Sequence, residues 1–61
     1  MELRSPEVQA DLTVRLKRIE GQVRGVQKML DEDRACHEIV QQLSAIRSAV
    51  QGASTMFMRQ Y

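Results

Sequence analysis

The stretch LTVRLKRIEGQVRGVQKML, residues 12–30, decides the fold. Its apolar members Leu12, Leu16, Ile19, Val23, Val26 and Leu30 recur at spacings of 4, 3, 4, 3 and 4, an a/d heptad seam held for nearly three heptads. Just upstream, Ser5-Pro6-Glu7 is a helix start: a hydroxyl at the N-cap, proline at the first helical position, and an acid beside the positive end of the dipole. The spacing predicts a helix over about residues 6–31, roughly 40 Å long at 1.5 Å per residue. Downstream, Asp31-Glu32-Asp33 interrupts the rhythm and offers a new N-cap at Asp31 or Asp33. A second seam then runs through Cys36, Ile39, Leu43, Ile46, Val50, Ala53 and Phe57, at spacings of 3, 4, 3, 4, 3 and 4. The expected fold is all-α: a long antiparallel helical hairpin over residues 1–61 with no linker or repeat. A hairpin alone leaves half of each apolar stripe in water, and dimerisation into a four-helix bundle closes it.

Length and composition point the same way. A chain of 61 residues is marginal as a monomer, and one cysteine leaves no internal disulfide. One Cys and one His exclude a zinc finger. Phe57 and Tyr61 are the only aromatics, so the core is aliphatic and shared between chains. No apolar run approaches the ~20 residues of a membrane span, and the N-terminus has no signal-peptide pattern. These features lead to the expectation of a soluble, cytoplasmic protein with a reduced thiol and no membrane partner.

The net charge of +1 hides an uneven distribution. Arg15, Lys17, Arg18, Arg24 and Lys28 face only Glu20 between Leu12 and Leu30, a local balance of +4, with the acids pushed to either side. Such a block suits a polyanion, although a solvated helix face has the same composition. At 100° per residue, Arg4, Arg15 and Arg18 flank the apolar stripe, while Lys17, Arg24 and Lys28 lie opposite it. Arginines on a straight, aromatic-poor helix suit phosphates of duplex nucleic acid better than single-strand stacking. No helix-turn-helix signature is present. Gly21 and Gly25 share one helical face and cost about 1 kcal/mol each relative to Ala.

Cys36 is the residue with the most chemistry. In the first turn of the second helix, free N–H groups and the dipole favour a thiolate, with Arg34 and His37 as near neighbours. On an apolar seam, however, a cysteine is most often a small buried hydrophobe. A metal at Cys36 needs more ligands, and the remaining donors are distant; Tyr61 lies about 37 Å further along the same helix. A site at Cys36 is therefore expected between protomers. Met29, Met56 and Met58 read as core filler. With no Ser/His/Asp set, phosphate loop or paired carboxylates, no enzyme is expected.

Arg15-Leu-Lys-Arg-Ile-Glu-Gly-Gln-Val-Arg-Gly25, then Met29-Leu30, a charged turn, Cys36, and Gln42-Leu-Ser-Ala-Ile-Arg-Ser48 closely resemble the copper-sensing operon repressor family, without a gap over residues 12–54. The resemblance implies an all-α bacterial repressor, a homodimer pairing into a homotetramer, that releases duplex operator DNA when an inducer acts. Carried over by position, Arg15 and Arg18 stand first as DNA contacts, followed by Lys17, Arg24 and Lys28. Cys36 matches the inducer-sensing cysteine, where Cu(I), another transition metal, or a reactive sulfur or aldehyde species would act. The sequence departs from the family at Tyr61, which occupies the position of a His ligand and is a poor donor for Cu(I). The later Cys or His ligand and the short third helix fall outside the 61 residues, and Met1-Glu2 lacks the N-terminal Pro amine of the formaldehyde sensors. The alternative is a structural helical oligomerisation module that binds no DNA.

Overall fold

The computed structural model describes residues 5–60, which form α1 (Pro6–Asp31) and α2 (Cys36–Gln60) with no strand among them. Arg4 and Tyr61 lie outside the described residues. The start of α1 follows the expected chemistry. Ser5 is extended (φ −153°, ψ 149°), and its hydroxyl accepts from the Val8 N–H at 3.1 Å. Pro6 then occupies the first turn, where its missing N–H is no loss.

The turn departs from expectation. Asp31 and Asp33 do not cap α2; they close α1. Asp33 adopts φ 58°, its N–H donates to the Leu30 carbonyl at 3.2 Å, and the Arg34 N–H donates to the Met29 carbonyl at 3.0 Å. This is a Schellman pair with aspartate in the left-handed position that glycine usually takes. Aspartate tolerates that conformation better than most residues because its short polar side chain suits it. The backbone then reaches Ala35, whose carbonyl accepts from Glu38 and Ile39 at 3.0 and 3.3 Å and starts α2. Glu38 in that first turn is complementary to the dipole and accepts from the Arg34 Nε at 2.9 Å.

Packing divides the seam read from the sequence. The less exposed positions of α1 are Val8, Leu12, Arg15, Ile19, Gln22, Val26 and Met29, again spaced 4, 3, 4, 3, 4 and 3. This row faces α2. It shares Leu12, Ile19 and Val26 with the predicted seam but replaces Leu16, Val23 and Leu30, which stay exposed, as do Leu43 and Val50 of α2. Val26 and Ala53, at 8% and 4% exposure, are the only buried apolar residues among those described. A core this small does not stabilise a chain of this length alone. The half-exposed apolar stripe is the one the hairpin reading expects. No helix of the described residues is long and apolar enough to cross a membrane.

Candidate functional site

The row Leu12–Ile19–Val26 separates two faces of different chemistry. On one side Leu12, Leu16 and Ile19 of α1 and Val50, Ala53, Ser54 and Phe57 of α2 line an open apolar groove of about 270 Å³. It continues along α1 over Leu16, Ile19 and Val23, bordered by Glu20 and Arg24. On the other side Arg15, Arg18, Gln22 and Ala49 line a smaller, more polar crevice of about 220 Å³. Helical geometry requires the separation, because Arg15 and Gln22 lie on the opposite flank of Ile19 from Leu16 and Val23.

The five basic residues of the block are not equivalent. Arg15 is partly drawn into the helix seam: its Nε donates to Asp11 Oδ1 at 3.3 Å, its side chain is 40% exposed, and Nη1 lies 3.8 Å from where a Cβ on Gly52 would stand. Arg24 and Lys28 are far more exposed, at 78% and 76%, and each has an acid one turn away, Glu20 at 4.0 Å and Glu32 at 3.9 Å. Lys17 and Arg18 have no acidic partner among the described residues. The electropositive character therefore concentrates at Arg18, Lys17 and the free edge of Arg15. Arg47, four residues after Leu43 and three before Val50, belongs to the apolar face by helical phase.

Cys36 is exposed as the first residue of α2. The expectation of a buried hydrophobe does not hold in the single hairpin, because residue 36 shares the phase of Leu43 and Val50 on the side turned away from α1. The neighbouring charge is also committed elsewhere. The Arg34 guanidinium pairs with both Glu38 and Glu32, so it is largely neutralised locally. Among the described residues no three His, Cys, Asp or Glu side chains converge on a point that could hold an ion. Cys36 is the one thiol, and the far end of α2 lies about 36 Å away. One hairpin thus supplies a single strong soft donor, which does not complete a transition-metal site. Tyr61, the other donor considered from the sequence, lies outside the described residues.

Two residues at the basic face, Gln22 in the crevice and Gly52 beside the Arg15 guanidinium, were not selected from the sequence. Gly52 is the surface over which Arg15 extends, and nothing in its local sequence marks it. Gln22 carries the one orphaned buried side-chain oxygen among the described residues: its Oε1 has no hydrogen-bond partner. Its spacing from Ile19 and Val26, three and four residues, places a polar side chain on an apolar row, and that signal was available.

Comparison with known proteins adds an independent line. The sequence profile of the metal-sensitive transcriptional repressors matches residues 8–61. The chain is 45% identical over 51 residues to the copper-sensing transcriptional repressor CsoR of Bacillus subtilis (strain 168), covering 84% of this chain and 50% of that protein. It is 45% identical over 40 residues to the copper-sensing transcriptional repressor RicR of Mycobacterium tuberculosis, covering 66% and 42%. The chain spans about half the length of the curated relatives it matches. The crystal structure of the copper-sensing repressor CsoR with Cu(I) from Geobacillus thermodenitrificans NG80-2 superposes with a TM-score of 0.88 at 44% identity, covering 97% of this chain and 62% of that one.

Proposed function

The chain belongs to the metal-sensitive transcriptional repressor family, and we propose that it is a cytoplasmic repressor that holds duplex operator DNA through its basic face and releases it when Cu(I) acts at Cys36. The observation that carries this reading is the division of the hairpin into an arginine-lined crevice on one side and an apolar groove on the other. A surface that must meet DNA and a surface that must meet another copy cannot be the same, and here they are apart. No enzymatic role is involved, and a purely structural module is disfavoured by the family.

Two hairpins meet through Leu16, Val23, Leu43 and Val50 to form a four-helix dimer, and dimers pair into a tetramer. Arg15 and Arg18 donate N–H groups to backbone phosphates, an interaction that positions the protein without reading base sequence. Lys17, Arg24 and Lys28 add longer-range attraction, reduced for the latter two by Glu20 and Glu32. The Cys36 thiolate is the donor this chain contributes to a soft, monovalent ion. The other ligands come from a second copy, which would tie occupancy to the arrangement of protomers. The relatives named as copper sensors support Cu(I) as the inducer.

Fluorescence anisotropy with a labelled operator duplex tests both halves. Arg18→Ala should lower the affinity and reduce the slope of log K against log salt by about 0.9 for each phosphate that is no longer neutralised. Cys36→Ser should bind DNA as the native chain does but no longer release it on addition of Cu(I). Binding that ignores both arginines and salt would remove the DNA-facing assignment. Release by Cu(I) from the Cys36→Ser variant would remove the sensing assignment.

A further inference from the structure

Gln22 and Arg18 line the same crevice, four residues apart on one face of α1, and each lacks what the other offers. Gln22 Oε1 is a buried acceptor with no donor, and the Arg18 guanidinium is a set of five donors with no acid beside it among the described residues. Burying an acceptor without a partner is unfavourable, so a polar amide kept between Ile19 and Val26 on the inner row requires an explanation. Arg15 also lines the crevice, but it stands seven residues from Gln22, two helical turns away, and its guanidinium extends toward Gly52 of α2. The i, i+4 spacing places Arg18 on the neighbouring turn of the helix, within side-chain reach of the amide.

We propose that Gln22 is the positioning residue of the DNA-facing crevice: when a backbone phosphate enters beside Arg18, the Gln22 carbonyl accepts one guanidinium N–H and leaves the remaining donors directed at the phosphate. This rests on the proposed DNA binding and assigns Gln22 a role in it. The guanidinium suits the task because its planar fork can satisfy a neutral acceptor on one edge and a phosphate on the other. Gln22 Oε1 has no partner in the hairpin; with DNA the cation is drawn into the crevice and both groups are satisfied. The lining of Ala49 leaves room for that movement, since a larger side chain there would fill the same space.

The test is a double-mutant cycle on the full chain with Gln22→Met and Arg18→Ala, read by anisotropy of a fluorescein-labelled mixed-sequence duplex across a salt series. Methionine keeps the length and removes the orphaned acceptor, so the melting temperature should hold or rise while duplex affinity falls about tenfold, the effect of losing one charge-assisted hydrogen bond. In the Arg18→Ala background, Gln22→Met should have no further effect on affinity. An equal loss in both backgrounds, or no loss in the native one, overturns the proposal while leaving DNA binding intact. Circular dichroism separates a binding defect from misfolding, and if Gln22→Met unfolds the chain, Gln22→Leu takes its place in the cycle. A native chain that shows no salt-dependent binding to the duplex overturns the DNA assignment itself, and this proposal with it.

Discussion

Leu43 and Val14 are equally exposed in the single hairpin, at 51% and 50%, yet replacing each by glutamine should affect self-association at Leu43 alone. Leu43 shares the phase of Val50, which lines the apolar groove, whereas Val14 lies one turn before Arg18 on the side of the basic crevice. Complete burial of a leucine side chain is worth about 1.5–3 kcal/mol. With half of it already covered by the hairpin, covering the rest contributes about 1 kcal/mol per copy. A two-fold interface counts every residue twice, so removing both leucines takes about 2 kcal/mol of apolar burial from the dimer. The buried, unpartnered amides add at least about 1 kcal/mol each. The sum, about 4 kcal/mol, is close to a thousandfold in dimer Kd. Sedimentation equilibrium over a concentration series measures it, with Val14→Gln as the matched control that should associate as the native chain does. Glutamine is a good helix former, so neither change acts through intrinsic propensity. Equal responses at the two positions, or a Leu43→Gln dimer as tight as the native one, would refute the assignment of the apolar face to self-association.

Asp33→Gly should raise stability by about 0.5–1 kcal/mol, because the left-handed conformation at φ 58° costs aspartate more than glycine even after glycine's greater freedom in the unfolded chain is counted. A thermal melt at fixed protein concentration shows this as an upward shift of several degrees, and a downward shift would mean that the Asp33 carboxylate has a capping role. Gly25→Ala should stabilise α1 by about 1 kcal/mol, since a Cβ there meets nothing within 4 Å. If chemical denaturation shows that gain while duplex affinity falls, the bare backbone at Gly25 is in contact with DNA. Ser5→Ala should cost about 1 kcal/mol through loss of the bond from the Val8 N–H, measurable in the same melts.

Much of the fold was legible because its signals are local and repeated. Two heptad rows, a Ser-Pro-Glu start and an acidic interruption define two helices and a turn. The seam itself was only half legible. A helix that touches two partners carries a stripe wider than one a/d row, and spacing alone cannot say that Leu12, Ile19 and Val26 face α2 while Leu16, Val23 and Leu30 turn outward. That division depends on Arg15 and Gln22 being admitted to the inner row, which hydropathy argues against. The turn was misread for a similar reason. Aspartate is a common N-cap, and its less frequent use as a left-handed C-terminal residue leaves no separate mark in the sequence. At the basic face, the block of cations was evident by counting, but which of them are already paired with acids emerged only from the side-chain distances. Cys36 was evident as the one thiol, and its exposure follows from the outward half of the seam.

Gly52 stands sixteen residues beyond Cys36 on the same uninterrupted helix, about 24 Å away, with no proline between them. Arg15 extends over that glycine from the facing helix. An uninterrupted α2 would carry an axial displacement of its Cys36 end to the surface beneath the Arg15 guanidinium. The tether to Asp11 sits on α1, so Arg15 would not travel with it. Sliding of one helix past the other would therefore be registered at that arginine as a change of footing, without any bending of the helix that bears it.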